Sequence, residues 1–357
     1  IKADHVAECF KRIGGIFPEF EPIIGSDSDC RYRNKAQYPV AIENGEIRTG
    51  FYAPHSHRVI HCPDCLLQPE EFRDILAVFS EYIKMYNISV YDETKNRGLL
   101  RHIYIRKGTA SGEIMVCAVI NGKKLPAEDV LVKMLTEKEN AIKSIIINSN
   151  TKDTNVILGD KCRTLWGEDC ITDILCGLKF RISPLSFYQV NRDMAERLYN
   201  KAAEYAECNG KTVLDLYCGA GTIGLSLANK AKKIIGVEIV PEAIEDAKIN
   251  AQNNNIENAE FICMDASAAA RELAKRGLKP DVVIVDPPRK GCTTELLNTI
   301  ANDFTPERLV YVSCDSATLA RDCAILKSLG YILTEYTPVD MFPATAHIET
   351  VAKFIKA

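Results

Sequence analysis

The apolar run Val310-Tyr311-Val312-Ser313 ends on Cys314 and Asp315. Upstream, a second apolar run, Val282-Val283-Ile284-Val285, ends on Asp286-Pro287-Pro288-Arg289. A strand that delivers a thiol beside one that delivers a carboxylate and a guanidinium suits covalent chemistry on a planar electrophile. A fold alone needs none of these polar groups. The two prolines stiffen the backbone that carries Asp286 and Arg289. Cys314 precedes a helical stretch that opens at Ser316, and the free N–H groups of that helix are expected to lower the thiol pKa. The alternative is an inert buried cysteine, common in a chain with 14 of them.

A base is within reach in Met341-Phe342-Pro343-Ala344-Thr345-Ala346-His347-Ile348-Glu349-Thr350. Pro343 and its small neighbours mark a loop, and Glu349 begins the strand that returns. A carboxylate entering a partly dry site has a raised pKa, as proton abstraction requires. His347 is the rival, since histidine is the commoner general base, and a strand period of two puts His347 and Glu349 on one face. The chemistry that uses such a set is addition of the thiolate to C6 of a uracil, which makes C5 a carbon nucleophile able to take a methyl group from a sulfonium. The base then removes the C5 proton and the thiol is expelled.

A cofactor loop is written in Leu214-Asp215-Leu216-Tyr217-Cys218-Gly219-Ala220-Gly221-Thr222-Ile223-Gly224. It follows a strand and opens a helix, with Gly219 and Gly221 letting the backbone approach a ligand. The same glycine spacing serves dinucleotides, so the loop by itself is weak evidence. Glu238, at the end of the next strand, can accept from a ribose diol with either ligand. Asp265 could contact an adenine amino group or simply cap the helix that follows. Gln189, in Ser186-Phe187-Tyr188-Gln189-Val190-Asn191, could bond the methionine end of a cofactor or belong to a helix-capping region.

These residues need a scaffold. From about residue 180, runs near 212–216, 233–237, 259–263, 281–285 and 309–312 alternate with helical stretches at 192–207, 222–228, 241–253, 266–275, 294–301 and 316–327. That pattern predicts a parallel sheet with right-handed crossovers. Two consecutive strands near 331–339 and 347–355 predict an antiparallel hairpin closing the sheet, as in Rossmann-like methyltransferases rather than dehydrogenases. Before this comes an α+β section. It has a helix over 2–12, strands near 30–38 and 48–52, a helix at 69–87, strands near 99–106 and 113–120, a helix at 126–137, and strands near 143–148 and 155–158. The expected domains are an N-terminal helical segment over 1–25 that packs on the catalytic domain, a central α+β domain over 26–180, and a catalytic domain over 181–357.

The net charge of −4 excludes a general polyanion binder, so RNA contact must come from local patches. Arg31, Arg33 and Lys35 interleave with Tyr32 and alternate onto one strand face. Lys95, Arg97, Arg101, Arg106 and Lys107 form a second basic set. There is no signal-peptide pattern and no apolar run long enough for a membrane span, which predicts a cytoplasmic protein with reduced thiols.

The motifs together resemble the RNA uracil-C5 methyltransferases, which include the bacterial 23S rRNA and tRNA 5-methyluridine enzymes. The resemblance rests on Phe187-Tyr188-Gln189-Val190-Asn191, the loop Asp215–Gly221, Asp286-Pro287-Pro288-Arg289-Lys290-Gly291, Ser313-Cys314-Asp315-Ser316-Ala317-Thr318-Leu319-Ala320-Arg321-Asp322, and Phe342-Pro343-Ala344-Thr345-Ala346-His347-Ile348-Glu349. It implies a Rossmann-like class I S-adenosylmethionine-dependent methyltransferase domain after an α+β RNA-binding domain. It implies Cys314 as nucleophile and Glu349, over His347, as base. It implies cofactor contacts from Gln189, Tyr217, Thr222, Glu238, Asp265 and Asp286. Arg289 and His347 join Arg31, Arg33 and Lys35 as candidate RNA contacts.

Ser316 departs from the family's usual proline. Many members carry an N-terminal β-barrel RNA-binding domain and three clustered cysteines of a [4Fe–4S] cluster, and this chain resembles them from just after those cysteines. Cys65, or else Cys62, corresponds to the fourth ligand, so no cluster is expected in this chain. Ribosomal RNA is the expected partner, transfer RNA the alternative, and a monomer the expected state. A nicotinamide dehydrogenase would leave Cys314 idle, and an exocyclic-nitrogen methyltransferase would need no thiol. A non-catalytic RNA-binding module would show affinity without methyl transfer.

Overall fold

The computed structural model describes residues 1–357, with Glu19 and Phe20 described by their backbone alone. The chain divides into two units. One comprises residues 1–27, 175–180 and 193–357; the other comprises 28–174 and 181–192.

The first unit is built on an eight-stranded sheet. Its spatial order is Glu19–Phe20, Tyr331–Val339, Glu349–Lys356, Arg308–Ser313, Val282–Val285, Thr212–Leu216, Lys233–Glu238 and Ala259–Cys263. The strands from Ala259–Cys263 across to Arg308–Ser313 run parallel, and the central ones, such as Val282–Val285, are apolar and buried on both faces. Glu349–Lys356 runs antiparallel to both its neighbours and wedges between Arg308–Ser313 and Tyr331–Val339, the closing hairpin expected of a Rossmann-like methyltransferase. From Thr212–Leu216 the chain winds outward one way, then crosses to Val282–Val285 and winds the other way. Ligands of open α/β sheets bind at the carboxyl ends of the strands where the order reverses. The helix Lys2–Cys9 continues as a wider turn over Phe10–Gly14 and stops at Gly15, whose φ of 59° ends a helix cheaply in glycine. Val6, Cys9 and Phe10 join the core formed by Leu214, Val283, Leu309 and Leu319.

The second unit carries a seven-stranded sheet in the order Val59–His61, Glu46–Tyr52, Lys35–Glu43, Leu100–Lys107, Ile114–Ile120, Ile142–Ser149 and Lys161–Gly167. Helices Glu71–Met85 and Glu128–Lys138 bury Phe72, Phe79, Tyr82, Leu131 and Leu135 with alternate strand residues such as Ile103, Ile105, Val116 and Ile145.

Three sequence expectations are corrected here. No strand forms at 155–158; the ladder resumes at Lys161–Gly167. Buried side chains satisfy that loop instead. Asn150 Nδ2 donates to the carbonyls of Val156 (2.7 Å) and Ile157 (3.0 Å), and Asn148 Nδ2 donates to that of Gly159 (2.7 Å). Second, the strand expected from residue 30 starts at Lys35, and Arg31 sits at φ 55°, which breaks the alternation of Arg31, Arg33 and Lys35 onto one face. Third, Arg101 and Arg106 are buried rather than a surface basic patch, 3% and 1% exposed. Arg101 pairs with Glu93 and donates to the carbonyls of Asn150 and Lys152, while Arg106 donates to those of Ser183 and Ser186.

Candidate active site

The register of the closing hairpin assembles the reacting pair. Ser313 lies opposite Thr350, the last pair of that ladder, so Cys314 and Glu349 are the residues that flank it, and the Glu349 carboxylate acts on the Cys314 thiol. Cys314 is half-buried and Glu349 is buried, 7% exposed. Asp286 and Arg289 arrive from the end of the neighbouring parallel strand, and both act on the pair. Burial pushes the Glu349 carboxyl up to about 8; the Asp286 carboxylate adds to this and Arg289 opposes it. Burial likewise raises Asp286 to about 7.

The thiol does not follow the expectation from the helix terminus. Burial pushes the Cys314 pKa up, Glu349 and Asp286 push it further, and Arg289 pulls against them. Asp315 Oδ1 accepts from the N–H groups of Ala317 (3.1 Å) and Thr318 (2.9 Å), so the helix start is already occupied by a carboxylate. Ser313 Oγ accepts from Asp315 N–H at 3.2 Å and donates to the Asp315 carbonyl at 3.0 Å, which fixes the turn around Cys314. Ser316 is buried.

The loop that carries Asp286 and Arg289 is tied to the helix after Cys314. Cys292 N–H donates to Asp322 Oδ2 at 2.9 Å, Arg321 donates to the Lys290 carbonyl at 3.0 Å, and Thr318 Oγ1 donates to the Arg289 carbonyl at 3.1 Å. The Arg289 side chain itself is exposed. His347 is exposed too, edge-on to the Phe342 ring, and is not drawn into the buried set.

On the other side of the switch point, Tyr217, Gly219 and Gly221 all have left-handed φ (67°, 54° and 80°), which turns the loop backbone before the helix at Thr222. A Cβ at Gly219 would project into open space, whereas one at Gly224 would stand 2.8 Å from Asp215 Oδ2. Glu238 accepts from the N–H groups of Ile239 (2.8 Å) and Val240 (3.0 Å) through one oxygen and from Gly219 N–H (3.2 Å) through the other. The oxygen that meets Gly219 keeps lone-pair capacity for a diol. Asp265 Oδ1 caps the helix Ala266–Lys275 by accepting from the Ser267 and Ala268 N–H groups, which leaves its other oxygen out of the cap. Two residues escaped sequence reasoning. Asp215 is buried, accepts from Gly224 N–H (2.9 Å) through Oδ2 while Oδ1 has no partner among the described residues, and is raised to about 7. Tyr199 meets the Thr222 hydroxyl at 3.4 Å. A polar residue inside the apolar run Val213-Leu214-Asp215-Leu216 was the one available signal.

A glycine-turned loop, an oriented ribose acceptor and an unpaired buried carboxylate oxygen fit an adenosyl cofactor. Cys62 and Cys65 fit a cluster less well. They lie within reach of each other, Cys65 helping burial to raise the Cys62 thiol, but no group of three or more metal-ligating side chains converges among the described residues. Two thiols do not complete a four-thiolate set. Gln189 belongs to the other unit, as do Arg31, Arg33 and Lys35. There, Arg31 donates to Asp64 at 2.8 Å and to the Cys65 and Gln68 carbonyls, and burial among Arg106 and Arg33 lowers Lys35 to about 8.

The model of the tRNA (uracil-5-)-methyltransferase family matches residues 28–356. The chain belongs to that family. It is 48% identical to an uncharacterized RNA methyltransferase of Clostridium tetani over 98% of this chain and 76% of the relative, and 47% identical to one of Clostridium acetobutylicum, covering 98% and 77%. Among solved structures it resembles the Pyrococcus abyssi tRNA (uracil-54, C5)-methyltransferase in complex with S-adenosyl-L-homocysteine, with a TM-score of 0.82 and 30% identity over 99% of this chain and 83% of that one. The family makes this chain an S-adenosylmethionine-dependent RNA methyltransferase, as its motifs led us to expect. No helix among the described residues is long and apolar enough to cross a membrane.

Proposed function

We propose that this chain methylates C5 of a uridine in RNA through a covalent bond between Cys314 Sγ and C6, with Glu349 removing the C5 proton. The observation that carries this reading is that the ladder pair Ser313–Thr350 brings Cys314 and Glu349 to its end, where Asp286 and Arg289 act on both. Addition of the thiolate to C6 moves the C5=C6 electron pair onto C5 and the O4 carbonyl. S-adenosylmethionine supplies an electrophilic methyl group, which C5 captures. Glu349 then takes the C5 proton, and the C–H electron pair restores the double bond as Cys314 departs. Arg289 favours both charged forms, the thiolate and the carboxylate. The cofactor is held, in this reading, by Tyr217, Gly219, Gly221, Thr222, Glu238, Asp265 and Asp286, with Gln189 at its methionine end. The target uracil must be extruded from its RNA fold to reach the thiol, and Arg33, Lys35, Arg289 and His347 are the candidate RNA contacts.

We infer large-subunit ribosomal RNA as the substrate, from the overall resemblance of the sequence to single-chain bacterial enzymes; the Clostridium relatives are named only as RNA methyltransferases. Transfer RNA is the second reading, favoured by the Pyrococcus abyssi enzyme, whose substrate is uracil 54 of tRNA. Two measurements test the proposal. RNA carrying 5-fluorouridine at the target should form a covalent adduct with the wild-type protein and none with Cys314→Ser; turnover by the serine variant would sink it. Mapping 5-methyluridine in RNA from cells lacking the protein assigns the substrate.

A further inference from the structure

The carboxylate of Asp322 has no part in the chemistry described so far, yet it is fully buried. Its Oδ2 accepts from the Tyr311 hydroxyl at 2.7 Å and from Cys292 N–H at 2.9 Å. Its Oδ1 accepts from Arg321 Nε at 2.8 Å and Nη2 at 2.6 Å. The same Arg321 Nη2 reaches the carbonyls of Lys290 (3.0 Å) and Cys292 (3.4 Å). With Thr318 on the Arg289 carbonyl, three residues of one helix hold the backbone of residues 289, 290 and 292. The fit leaves no slack. Gly291 sits at φ 74°, and a Cβ there would stand 2.6 Å from Arg321 Nη2 and 2.7 Å from Asp322 Oδ2.

A core-filling role does not explain this arrangement. Burying the Asp322 carboxylate is costly unless its hydrogen bonds are complete, and an apolar side chain would fill the same space more cheaply; its partner Arg321 stays 47% exposed. Apart from the Tyr311 hydroxyl and the ion pair itself, the bonds go to main-chain atoms of one loop. That loop carries Asp286 at its start and Arg289 in its middle. The helix that grips it opens two residues after Cys314, so the clamp fixes the nucleophile's turn and the arginine's turn against each other.

We propose that Asp322, acting with Arg321, is a positioning residue that holds Arg289 at the Cys314–Glu349 pair. The proposal rests on the reading of those two side chains as nucleophile and base. The groups that act on the pair are Asp286 and Arg289, with Tyr199 feeling both Asp286 and Glu349. Arg289 is the cation that opposes the carboxylates there, so letting it drift leaves the thiol harder to ionise.

The test is single-turnover adduct formation with 5-fluorouridine RNA across pH, for the wild type, Asp322→Asn, Arg289→Gln and the double variant. Asp322→Asn keeps the shape of the side chain but no longer pairs with Arg321. The expected result is a rate about tenfold lower at pH 7 with the rising limb moved to higher pH by about one unit. Arg289→Gln should do the same, and the double variant should be no worse than Arg289→Gln alone. Mere structural damage would scale the rate equally at every pH. Additive effects, or an unshifted profile in Asp322→Asn, overturn the proposal. Should Asp322→Asn fail to fold, Thr318→Val removes one bond of the same clamp and should shift the profile in the same direction by less; no shift there overturns it as well. A wild-type protein that forms no adduct brings down the catalytic reading and this proposal together, whereas a normal wild-type adduct with additive variants brings down the positioning role alone.

Discussion

Replacing Glu349 by glutamine should make the protein more stable in mild alkali while it destroys turnover. The carboxyl has an ordinary value of 4.5 and is pushed up to about 8, chiefly by burial. A pKa raised on folding means that the folded state prefers the protonated form. The contribution of this group to stability is therefore complete below about 4.5 and is lost as the pH rises through about 8. At about 1.4 kcal/mol per pH unit, the whole interval sets a ceiling of roughly 4–5 kcal/mol. Relaxation and water entry around a charged carboxylate bring the expected gain at pH 8.5 down to about 1–3 kcal/mol. Glutamine matches the shape, leaves no cavity and does not ionise. Urea denaturation of both proteins at pH 5 and pH 8.5 measures the difference, which should be near zero at the lower pH and favour the variant at the higher. In the same variant, adduct with natural RNA should accumulate, since the proton at C5 has no acceptor. A pH-independent difference, or a variant less stable than the wild type at pH 8.5, would refute the buried-carboxylate account of this site.

Other consequences follow from the same geometry. Because burial and two carboxylates raise the Cys314 thiol, its alkylation by iodoacetamide, followed by peptide mass spectrometry, should be slow at pH 7 and climb through pH 9; a rate flat from pH 6 to 8 would contradict the shift. Gly224→Ala puts a Cβ 2.8 Å from Asp215 Oδ2 and 3.0 Å from Ile234 Cγ2, so it should cost about 1–3 kcal/mol in denaturation and weaken S-adenosylhomocysteine binding by calorimetry. Arg101→Met removes the buried partner of Glu93 and the donor to the Asn150 and Lys152 carbonyls. It should destabilise by about 2–4 kcal/mol yet leave RNA affinity per folded molecule unchanged in a filter-binding assay, as a structural arginine requires.

The parts of this molecule that could be read from its sequence are those set by neighbours along the chain. The helices Pro241–Asn253 and Ala266–Lys275 and the strands Thr212–Leu216 and Ala259–Cys263 fall where the apolar periodicity and capping residues place them. The closing hairpin was legible because two apolar runs stand with no helix between them, and the motifs at Asp286, Cys314 and Glu349 were legible because polar residues end apolar strands. What failed to read is what depends on partners distant in sequence. Arg101 and Arg106 read as part of a surface basic set because the carbonyls that accept from them lie in segments tens of residues away. The loop at 155–158 has strand composition, but Asn148 and Asn150 satisfy its carbonyls before a ladder can.

The Cys314 thiol is the sharpest case, because the local argument was sound and still lost. A helix start does favour a thiolate, by about 0.3–1 kcal/mol at a typical exposed terminus. Here burial of the sulfur raises the pKa first, and the carboxylates of Glu349 and Asp286, from strands that sequence order separates from it, raise it further. Together they outweigh the helix terminus, whose first N–H groups Asp315 caps. If Cys314 is the nucleophile proposed above, it therefore rests as a thiol, and Arg289, whose loop the Asp322 clamp holds, is the cation that opposes the raising groups there.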